Sequence, residues 1–306
     1  MKGFFTILGT SSAIPTKDRN HPSIFFQYQG EAFLFDCGEG TQRQLQIAGH
    51  SFYKINKIFI THLHGDHVLG LPGLLQTLDF HDKPFAEIYG PPGIRRLVEL
   101  SATQCFHINT RDLKVEVKEI EPTDEVVAFL ETDTYRVKTI GLDHTVDCLG
   151  FAFEEKERFK YDRKKVGELN LKPQHFKELE NLGYTTVGGR KIFKHQLGGV
   201  KRGFKFVYIT DTYYTENIFK LAQNADYLVL ECTYFDEDEY AREVKHLSFN
   251  IFREKIYPKL LELGVKKIIL THFSRRYKDF SKFEEAIREH KMDNVYLAHD
   301  FMRFEF

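Results

Sequence analysis

Three histidines and one aspartate lie within six positions of this chain, at His62, His64, Asp66 and His67. Imidazole and carboxylate groups are ligand types that suit zinc and related divalent cations. His62 and His64 would point together from a tight turn to hold one ion, and Asp66 and His67 would hold a second ion nearby. Two cations about 3.5–4 Å apart generate hydroxide and stabilise in-line displacement at phosphorus. The cluster therefore predicts a two-metal hydrolytic site.

Further ligand-type residues follow other apolar strands of the chain. Three strand-like segments end in Thr followed at once by such a residue, at His62, Asp211 and His272, and His144 follows a similar segment at 137–143. Strands that end alike converge on one edge of a two-sheet assembly. Asp211 suits a bridging carboxylate, and His144 and His272 would complete the coordination of the two ions. A chance cluster of surface or core histidines is the alternative, and these additional ligands weigh against it.

Strands on both sides of a charged middle segment must position these residues. The ligand-rich stretch at 61–73 lies between an apolar β-branched run at 58–60 and a helix-like segment at 74–78. Helices are also predicted at about 41–48 and 94–104. Strands are predicted at 4–8, 23–28, 32–36, 57–60, 87–89, 113–119, 125–130, 135–140, 206–210, 227–231, 267–270 and 295–297. This pattern favours a sandwich of two mixed sheets with outer helices.

The middle segment, residues 156–202, begins with a run dense in charge at 156–165 and continues with several glycines, so it predicts an inserted arm. Its bases include Lys156, Arg158, Lys160, Arg163, Lys164, Lys165, Arg190, Lys191, Lys194, Lys201 and Arg202. The whole chain has a net charge of −1, so a nucleic-acid partner would need such a local concentration of positive charge. The arm suits contact with an RNA phosphate backbone, and a solvated charged loop is the alternative.

Composition narrows the class of protein. Hydrophobic residues make up 42% of the 306 positions, enough for a large core, and 29 of them are Phe while none is Trp. No run of about 18 apolar residues is present, so no membrane span is predicted. The four cysteines, Cys37, Cys105, Cys148 and Cys232, form no CxxC pair. We therefore expect reduced, buried thiols and a cytoplasmic location.

Several motifs together resemble the ribonuclease Z family, the tRNA 3′-processing endonucleases of the metallo-β-lactamase superfamily. The His-Leu-His-Gly-Asp-His run at 62–67 resembles the superfamily signature. The segments that resemble this family more specifically are 9–20, 35–42, 70–74, 208–212, 231–235 and 271–277. The resemblance extends nearly end to end. It implies an α/β fold, an αββα four-layer sandwich forming a single domain over 1–306, with residues 156–202 as an inserted arm.

The resemblance implies roles for individual site residues. One zinc ion would be held by His62, His64 and His144, and a second by Asp66, His67 and His272, with Asp211 bridging the two. Asp66 would also orient or deprotonate the attacking water. Glu231 and His246 resemble the pair that delivers a proton to the leaving oxygen. The family usually has His-Ser-Thr or a close variant here, and Leu247 departs from that pattern. An exposed histidine at a helix start is the alternative for His246.

The resemblance also implies a substrate, precursor tRNA. A metal-bound hydroxide would attack phosphorus in line, leaving a 3′-hydroxyl on the tRNA and a 5′-phosphate on the trailer. Lys17, Arg19 and Asn20 are candidates to hold the RNA 3′ end, and Arg275 and Arg276 are candidates to contact a phosphate, with structural salt bridges as the alternative. Members of the family form homodimers in which the arm grips the tRNA elbow, often through a Gly-Pro turn that this arm lacks.

Other functions remain open at this point. A small-molecule phosphodiesterase or arylsulfatase-like hydrolase of the same superfamily would share the metal ligands, but it would need no basic arm. A non-catalytic RNA-binding relative would need no complete ligand set. The ligands alone do not determine the metal: Mn²⁺ or another divalent ion would fit, and a redox di-iron centre is a further option.

Overall fold

A computed structural model describes residues 3–105 and 113–306, without the side chains of Gln104 and Cys105. Most of the described chain is strand or helix. The strands are β1 (Gly3–Gly9), β2 (Ser23–Tyr28), β3 (Glu31–Phe35), β4 (Ile55–Phe59), β5 (Phe85–Gly90), β6 (Lys114–Glu119), β7 (Val127–Glu131), β8 (Tyr135–Gly141), β9 (Leu149–Glu155), β10 (Arg158–Tyr161), β11 (Tyr184–Val187), β12 (Arg190–Phe193), β13 (Gly198–Lys201), β14 (Lys205–Ile209), β15 (Tyr227–Glu231), β16 (Lys267–Thr271), β17 (Val295–Leu297) and β18 (Arg303–Glu305).

Short helices connect these strands. They are α1 (Thr41–Ile47), α2 (Gly65–Val68), α3 (Leu71–Phe80), α4 (Ile94–Leu100), α5 (Arg163–Glu168), α6 (Pro173–Leu182), α7 (Asn217–Ala222), α8 (Asp238–Glu243), α9 (Phe249–Ile251), α10 (Tyr257–Glu262) and α11 (Ser281–Glu289). Turns of 3-10 helix occur at Phe52–Lys54 and Lys194–Leu197, and π-helical turns at Ser101–Cys105 and Phe252–Ile256.

Two seven-stranded mixed sheets form the centre of the molecule. The first has the order β18-β1-β2-β3-β4-β5-β6, and the second has the order β17-β16-β15-β14-β9-β8-β7. Strands β3 to β6 run parallel in the first sheet, as do β14 to β17 in the second. The carboxyl ends of parallel strands meet at one edge of a sheet, so each sheet presents several loops there.

Aromatic side chains fill the space between the sheets. Phe26 of the first sheet lies 4.8 Å from Phe153 and 5.1 Å from Phe206 of the second, measured between ring centroids. Phe35 lies 5.4 Å from Phe206. These tilted contacts join residues from distant parts of the chain, so burial of the phenylalanine-rich core depends on both sheets being present.

The outer face of each sheet is covered by helices. Leu45 of α1 and Leu74 of α3 pack in a buried cluster with Ile58 of the first sheet. Phe252 and Phe283 pack in a second cluster on the far side of the second sheet. The layers are therefore helix, sheet, sheet and helix, which confirms the predicted αββα sandwich.

Residues 156–202 form a separate set of small elements beside the second sheet. Strand β10 pairs with β13, and β11 pairs with β12, both antiparallel. The segment leaves and rejoins the sheet at one place, where the Glu155 amide donates to the Phe204 carbonyl over 2.8 Å. The four short strands of this segment are not predicted from the sequence.

The predicted strands agree with both large sheets, except that β18 of the first and β9 of the second are missing from them. Strand β9 is the longer of the two. Six of its seven residues are buried, so the strand has no alternation of polar and apolar side chains. It nevertheless lies in the middle of the second sheet, between β8 and β14. Cys37, Cys148 and Cys232 are buried free thiols, and the side chain of Cys105 is outside the described part. Among the described residues no helix has the length and hydrophobicity to cross a bilayer.

Candidate metal centre

Both sheets contribute residues to one cluster at their shared edge. Asp36 follows β3 directly, Asp211 lies two positions after β14, and His272 follows β16. All three have positive φ angles, of 55°, 43° and 62°. Non-glycine residues seldom adopt this left-handed conformation, and it concentrates at functional sites where the surrounding structure enforces it. The turn after each strand thus directs a polar side chain into the cluster.

The loop after β4 carries the His-x-His-x-Asp-His residues, and α2 begins within it. The backbone of Gly38 packs closely against this loop, because a Cβ atom placed on Gly38 would lie 2.2 Å from the carbonyl oxygen of Asp66. Likewise, a Cβ atom placed on Gly70 would lie 2.1 Å from the carbonyl oxygen of Gly38. Any side chain at either position would displace the loop, so these two glycines set how deeply it sits.

One group of ligand atoms comes from His62, His64, His144 and Asp211, all lying within 4.8 Å of one another. The Nδ1 atom of His64 is 3.1 Å from the Nε2 atoms of both His62 and His144. Oδ2 of Asp211 is 3.4 Å from His62 Nε2 and 3.8 Å from His144 Nε2. Three imidazole nitrogens and one carboxylate oxygen therefore surround one point, as in a tetrahedral divalent-cation site.

A second group comes from Asp66, His67 and His272. Their ligand atoms converge, with Asp66 Oδ2 3.5 Å from the Nε2 atoms of both histidines. The other oxygen of Asp211, Oδ1, is 3.2 Å from His67 Nε2 and 3.1 Å from His272 Nε2. Asp211 thus presents one oxygen to each group, the arrangement expected of a bridging carboxylate. All seven predicted ligands lie in these two groups.

The ring nitrogens that face away from the cluster have their own partners. Thr61 Oγ1 is 3.0 Å from His62 Nδ1, and the Lys245 carbonyl oxygen is 3.1 Å from His144 Nδ1. Thr233 Oγ1 is 2.9 Å from His272 Nδ1. Such outer partners fix the tautomer and orientation of a metal-binding imidazole.

Asp36 is a buried site residue to which the sequence analysis assigned no role. Its Oδ2 atom lies 2.8 Å from His67 Nδ1, and it also accepts a hydrogen bond from the Tyr208 hydroxyl over 2.9 Å. Its Oδ1 atom accepts from the Thr61 amide over 2.8 Å. A charged residue immediately after an apolar strand is the sequence signal that would have identified it.

The carboxylates determine the electrostatics of the second group. Burial alone would lower the pKa of His67, but the negative charges of Asp211, Asp36 and Asp66 raise it well above the ordinary value. Burial lowers the pKa of His62 and of His144, the latter to about 4, which keeps both imidazoles neutral. Neutral imidazoles are the form that binds a metal, and the carboxylates favour positive charge at the second group.

The buried Glu231 and the partly buried His246 form a pair beside the cluster. Glu231 Oε1 lies 2.9 Å from His246 Nδ1 and accepts from the Thr212 amide over 2.6 Å. Burial opposes a charge on His246, but Glu231 outweighs this and raises the pKa of His246 to about 9. The imidazole also stacks near His272, with ring centroids 5.4 Å apart. The pair can therefore hold a proton next to the ligand cluster.

The predicted RNA-contacting residues of the 10–20 loop have different surroundings. Lys17 is exposed and pairs with the neighbouring Asp18 over 2.9 Å. Arg19 is buried, and its Nη2 donates to the carbonyls of Ser274 and Tyr277 over 3.1 and 2.9 Å. Its contacts brace the loop against the segment that follows His272, so contact between Arg19 and RNA stays a prediction.

Asn20 and Arg276 contact other residues of the protein, whereas Arg275 lines a cavity. Asn20 Nδ2 donates to the Glu39 carbonyl over 2.8 Å. Arg276 pairs with Glu237 over 2.7 Å and lies over the ring of Tyr234. Arg275 lines a cavity of about 610 Å³ whose other walls include Lys17, Arg19, Tyr277, Lys278 and Phe280. Four cationic side chains and the carboxylate of Asp18 therefore border this cavity.

The sequence is similar to proteins of known family over most of its length. A family model described as Anti-Pycsar protein Apyc1 matches residues 4–165. Ribonuclease Z of Methanothermobacter thermautotrophicus is 42% identical over 289 residues, covering 93% of this chain and 91% of that protein. Ribonuclease Z of Archaeoglobus fulgidus is 36% identical, covering 98% and 96%. The chain belongs to the ribonuclease Z family.

Solved structures agree with this assignment to the ribonuclease Z family. Human tRNase Z, short form, superposes with a TM-score of 0.69 at 28% identity, covering 99% of this chain and 98% of that one. The metallo-β-lactamase fold protein YhfI of Bacillus subtilis superposes with a TM-score of 0.66 at 16% identity, covering 99% of each chain. The second likeness concerns the fold alone, and it matches the observed αββα sandwich.

Proposed function

We propose that this member of the ribonuclease Z family is a metal-dependent endoribonuclease that removes the 3′ trailer from precursor tRNA. The tRNA would leave with a 3′-hydroxyl and the trailer with a 5′-phosphate. The observation that carries the proposal is the pair of ligand groups that share Asp211. Full-length similarity to proteins named ribonuclease Z supports the choice of RNA as substrate.

The donor set fits two divalent cations, for which we propose zinc. His62, His64 and His144 would hold one ion, Asp66, His67 and His272 the other, and Asp211 would bridge them. Imidazole and carboxylate ligands suit zinc, although Mn²⁺ accepts the same donors. When bound, two such cations supply an activated water and neutralise charge developing at the phosphate.

The protein's own groups would control protons at the scissile phosphate. The Asp66 carboxylate would orient the attacking water or take up its proton. Neighbouring histidines hold the pKa of Asp66 well below the ordinary value despite burial, so this carboxylate is ionised and can accept a hydrogen bond from the water. His246, kept protonated by Glu231, would give a proton to the leaving 3′ oxygen. A base and an acid beside one cluster suit hydrolysis of a phosphodiester with a poor leaving group.

Basic side chains beyond the centre would bind the RNA. Lys17, Arg19, Asn20, Arg275 and Arg276 are the candidates at the rim, supported by the cationic cavity beside them. Residues 156–202 would form an exosite for the body of the tRNA. Lys191 lies 3.5 Å above the ring of Tyr184 on the β11–β12 hairpin, so this hairpin offers both charge and an aromatic surface.

We also propose the domain organisation, assembly and location of the protein. One domain over 1–306 is supported by the aromatic core shared between the two sheets, with 156–202 as the basic arm. A homodimer is proposed from the family resemblance, and light scattering at micromolar concentration would test it. Free thiols at Cys37, Cys148 and Cys232 support a reducing compartment such as the cytoplasm.

Incubation with an end-labelled precursor tRNA tests the proposed reaction. The cut should map to one nucleotide at the end of the acceptor stem, and added chelator should abolish cleavage. Metal analysis of the purified protein should give about two zinc ions per chain. Cleavage that persists in chelator, or hydrolysis of small phosphodiesters without any cleavage of precursor tRNA, would contradict the proposal.

A further inference from the structure

Asp300 is a partly buried carboxylate outside the metal centre that joins three separate parts of the chain. It lies in the turn between β17 of the second sheet and β18 of the first. Its Oδ1 atom accepts from the Thr10 hydroxyl over 2.8 Å. Its Oδ2 atom accepts from the Asn20 amide over 2.7 Å and from Gln44 Nε2 over 3.0 Å. No step of the proposed reaction uses this group.

Two of these donors are the first and last residues of the 10–20 loop. The loop is closed there by a hydrogen bond from the Ser11 amide to the Asn20 carbonyl, over 2.9 Å. Asp300 therefore holds both ends of the loop with a single charged group. Hydrogen bonds to an ionised carboxylate are about twice as strong as those between neutral groups.

The same loop reaches the metal centre at two points. The Ala13 amide donates to Asp66 Oδ2 over 2.8 Å, from a residue with a φ angle of 50°. The Ser12 amide donates to the Phe273 carbonyl over 3.0 Å, and the Phe273 amide donates to the Thr10 carbonyl over 2.9 Å. Phe273 follows His272 directly. Both contacts therefore fall on the second ligand group, whereas His62 and His144 of the first group contact Thr61 and the Lys245 carbonyl.

We propose that Asp300 is a positioning residue that sets the geometry of only one of the two cation sites, the one formed by Asp66, His67 and His272. Asp300 fixes the 10–20 loop, and the loop in turn keeps the Ala13 amide hydrogen-bonded to Asp66. The loop also fixes the backbone that follows His272, through its hydrogen bonds to Phe273. The His62, His64 and His144 site lies outside this connection. The inference rests on the proposed division of the ligands between two cations.

Zinc titration of the metal-free protein tests this proposal without any RNA. Two stepwise affinities are measured by competition with a chromophoric chelator, and Asp66→Ala and His64→Ala identify which affinity belongs to which site. In Asp300→Asn the zinc affinity of the site formed by Asp66, His67 and His272 should fall about tenfold or more, as is typical when a residue that supports a metal ligand is lost. The zinc affinity of the other site should change less than about twofold. Thr10→Val should weaken the same site in the same direction, by less.

Glu154→Gln is the matched control. Glu154 is also a largely buried carboxylate with several donors, Arg136, Lys138 and Lys205, but it lies at the opposite end of β9 from the centre. Both zinc affinities should be unchanged in this variant. Equal weakening of both sites in Asp300→Asn, or no change in either, would overturn the proposal. If Asp300→Asn does not fold, Thr10→Val decides by the same criteria. A natural protein that binds no zinc would instead refute the proposed function itself.

Discussion

Glu231 and the partly buried His246 form a pair, with Oε1 and Nδ1 2.9 Å apart. Glu231 has no exposed surface, and its second oxygen, Oε2, accepts from the Thr233 hydroxyl over 2.7 Å and from the Leu247 amide over 3.1 Å. A carboxylate so fully hydrogen-bonded stays ionised and holds its partner imidazole in the protonated form. The sequence left an exposed histidine as the alternative for His246, whereas the structure pairs this residue with Glu231.

His246→Ala tests proton donation by this pair. Cleavage of precursor tRNA should slow by about 10²–10⁴-fold, the usual contribution of a general acid. Hydrolysis of bis(p-nitrophenyl) phosphate should slow much less, because p-nitrophenolate leaves without a proton. His290→Ala, a change at the end of α11, serves as the control and should affect neither rate. Equal losses on the two substrates would rule out proton donation to the leaving group.

Asp66→Ala should abolish cleavage of precursor tRNA, by at least about 10³-fold, and leave the fold intact. The side chain is proposed both to bind the second cation and to orient the attacking water, so its removal takes away two functions. Single-turnover rates and the melting temperature provide the measurements. Undiminished cleavage by a folded variant would show that the mechanism is wrong.

Asp36→Asn should lower activity and metal affinity by about 10–100-fold, although Asp36 contacts no proposed cation directly. It anchors His67 Nδ1, and outer partners of this kind commonly have such effects. The amide keeps the size of the side chain but cannot accept hydrogen bonds with both of its terminal atoms. Steady-state rates at graded zinc concentrations give the measurement. If added zinc never restores any rate, the defect lies elsewhere than in metal binding.

Replacing residues 156–202 with a short Gly-Ser linker should raise KM for precursor tRNA strongly and spare hydrolysis of a small phosphodiester. The excision is feasible because Glu155 and Phe204 already contact each other through their backbones. The positive charge of the arm would contribute mainly to binding the RNA backbone, so KM for the natural protein should also rise with salt. Parallel loss of both activities would mean that the arm only supports the fold.

The stability difference between Asp300→Asn and the natural protein should depend on pH. Burial raises the pKa of Asp300 to about 6, although Asn20, Thr10 and the facing charge of Arg19 favour ionisation. A raised pKa means that the folded state binds the proton more tightly. The stabilisation is therefore complete below about pH 4 and is lost as the pH rises through about 6. Asparagine does not titrate.

The melting temperature of Asp300→Asn relative to that of the natural protein should therefore rise by a few degrees between about pH 4.5 and 7.5. The underlying free-energy change is at most about 3 kcal/mol, from a pKa shift of roughly two units. Thermal unfolding in a series of buffers measures it. A difference that is independent of pH would show that Asp300 does not titrate in this range.

The sequence alone predicted the type of fold and the residues of the candidate metal centre. The ligand motif is local, because four of its residues lie in one loop. His272 and Asp211 could be recognised because each follows an apolar strand. Most strands could likewise be predicted from local patterns. Strand β9 could not, because one face is buried between the sheets and the other under the outer helices, which leaves no alternation of polar and apolar side chains.

Only the tertiary structure showed how closely these residues converge and which groups support them. That Asp211 presents one oxygen to each group depends on the φ angle of 43° after β14. Asp36 could not be paired with His67 from the sequence, since 31 positions separate them. The connection from Asp300 to Thr10 spans 290 positions and both sheets. Such contacts depend on how the two sheets are brought together, a relationship that no local pattern of side chains encodes.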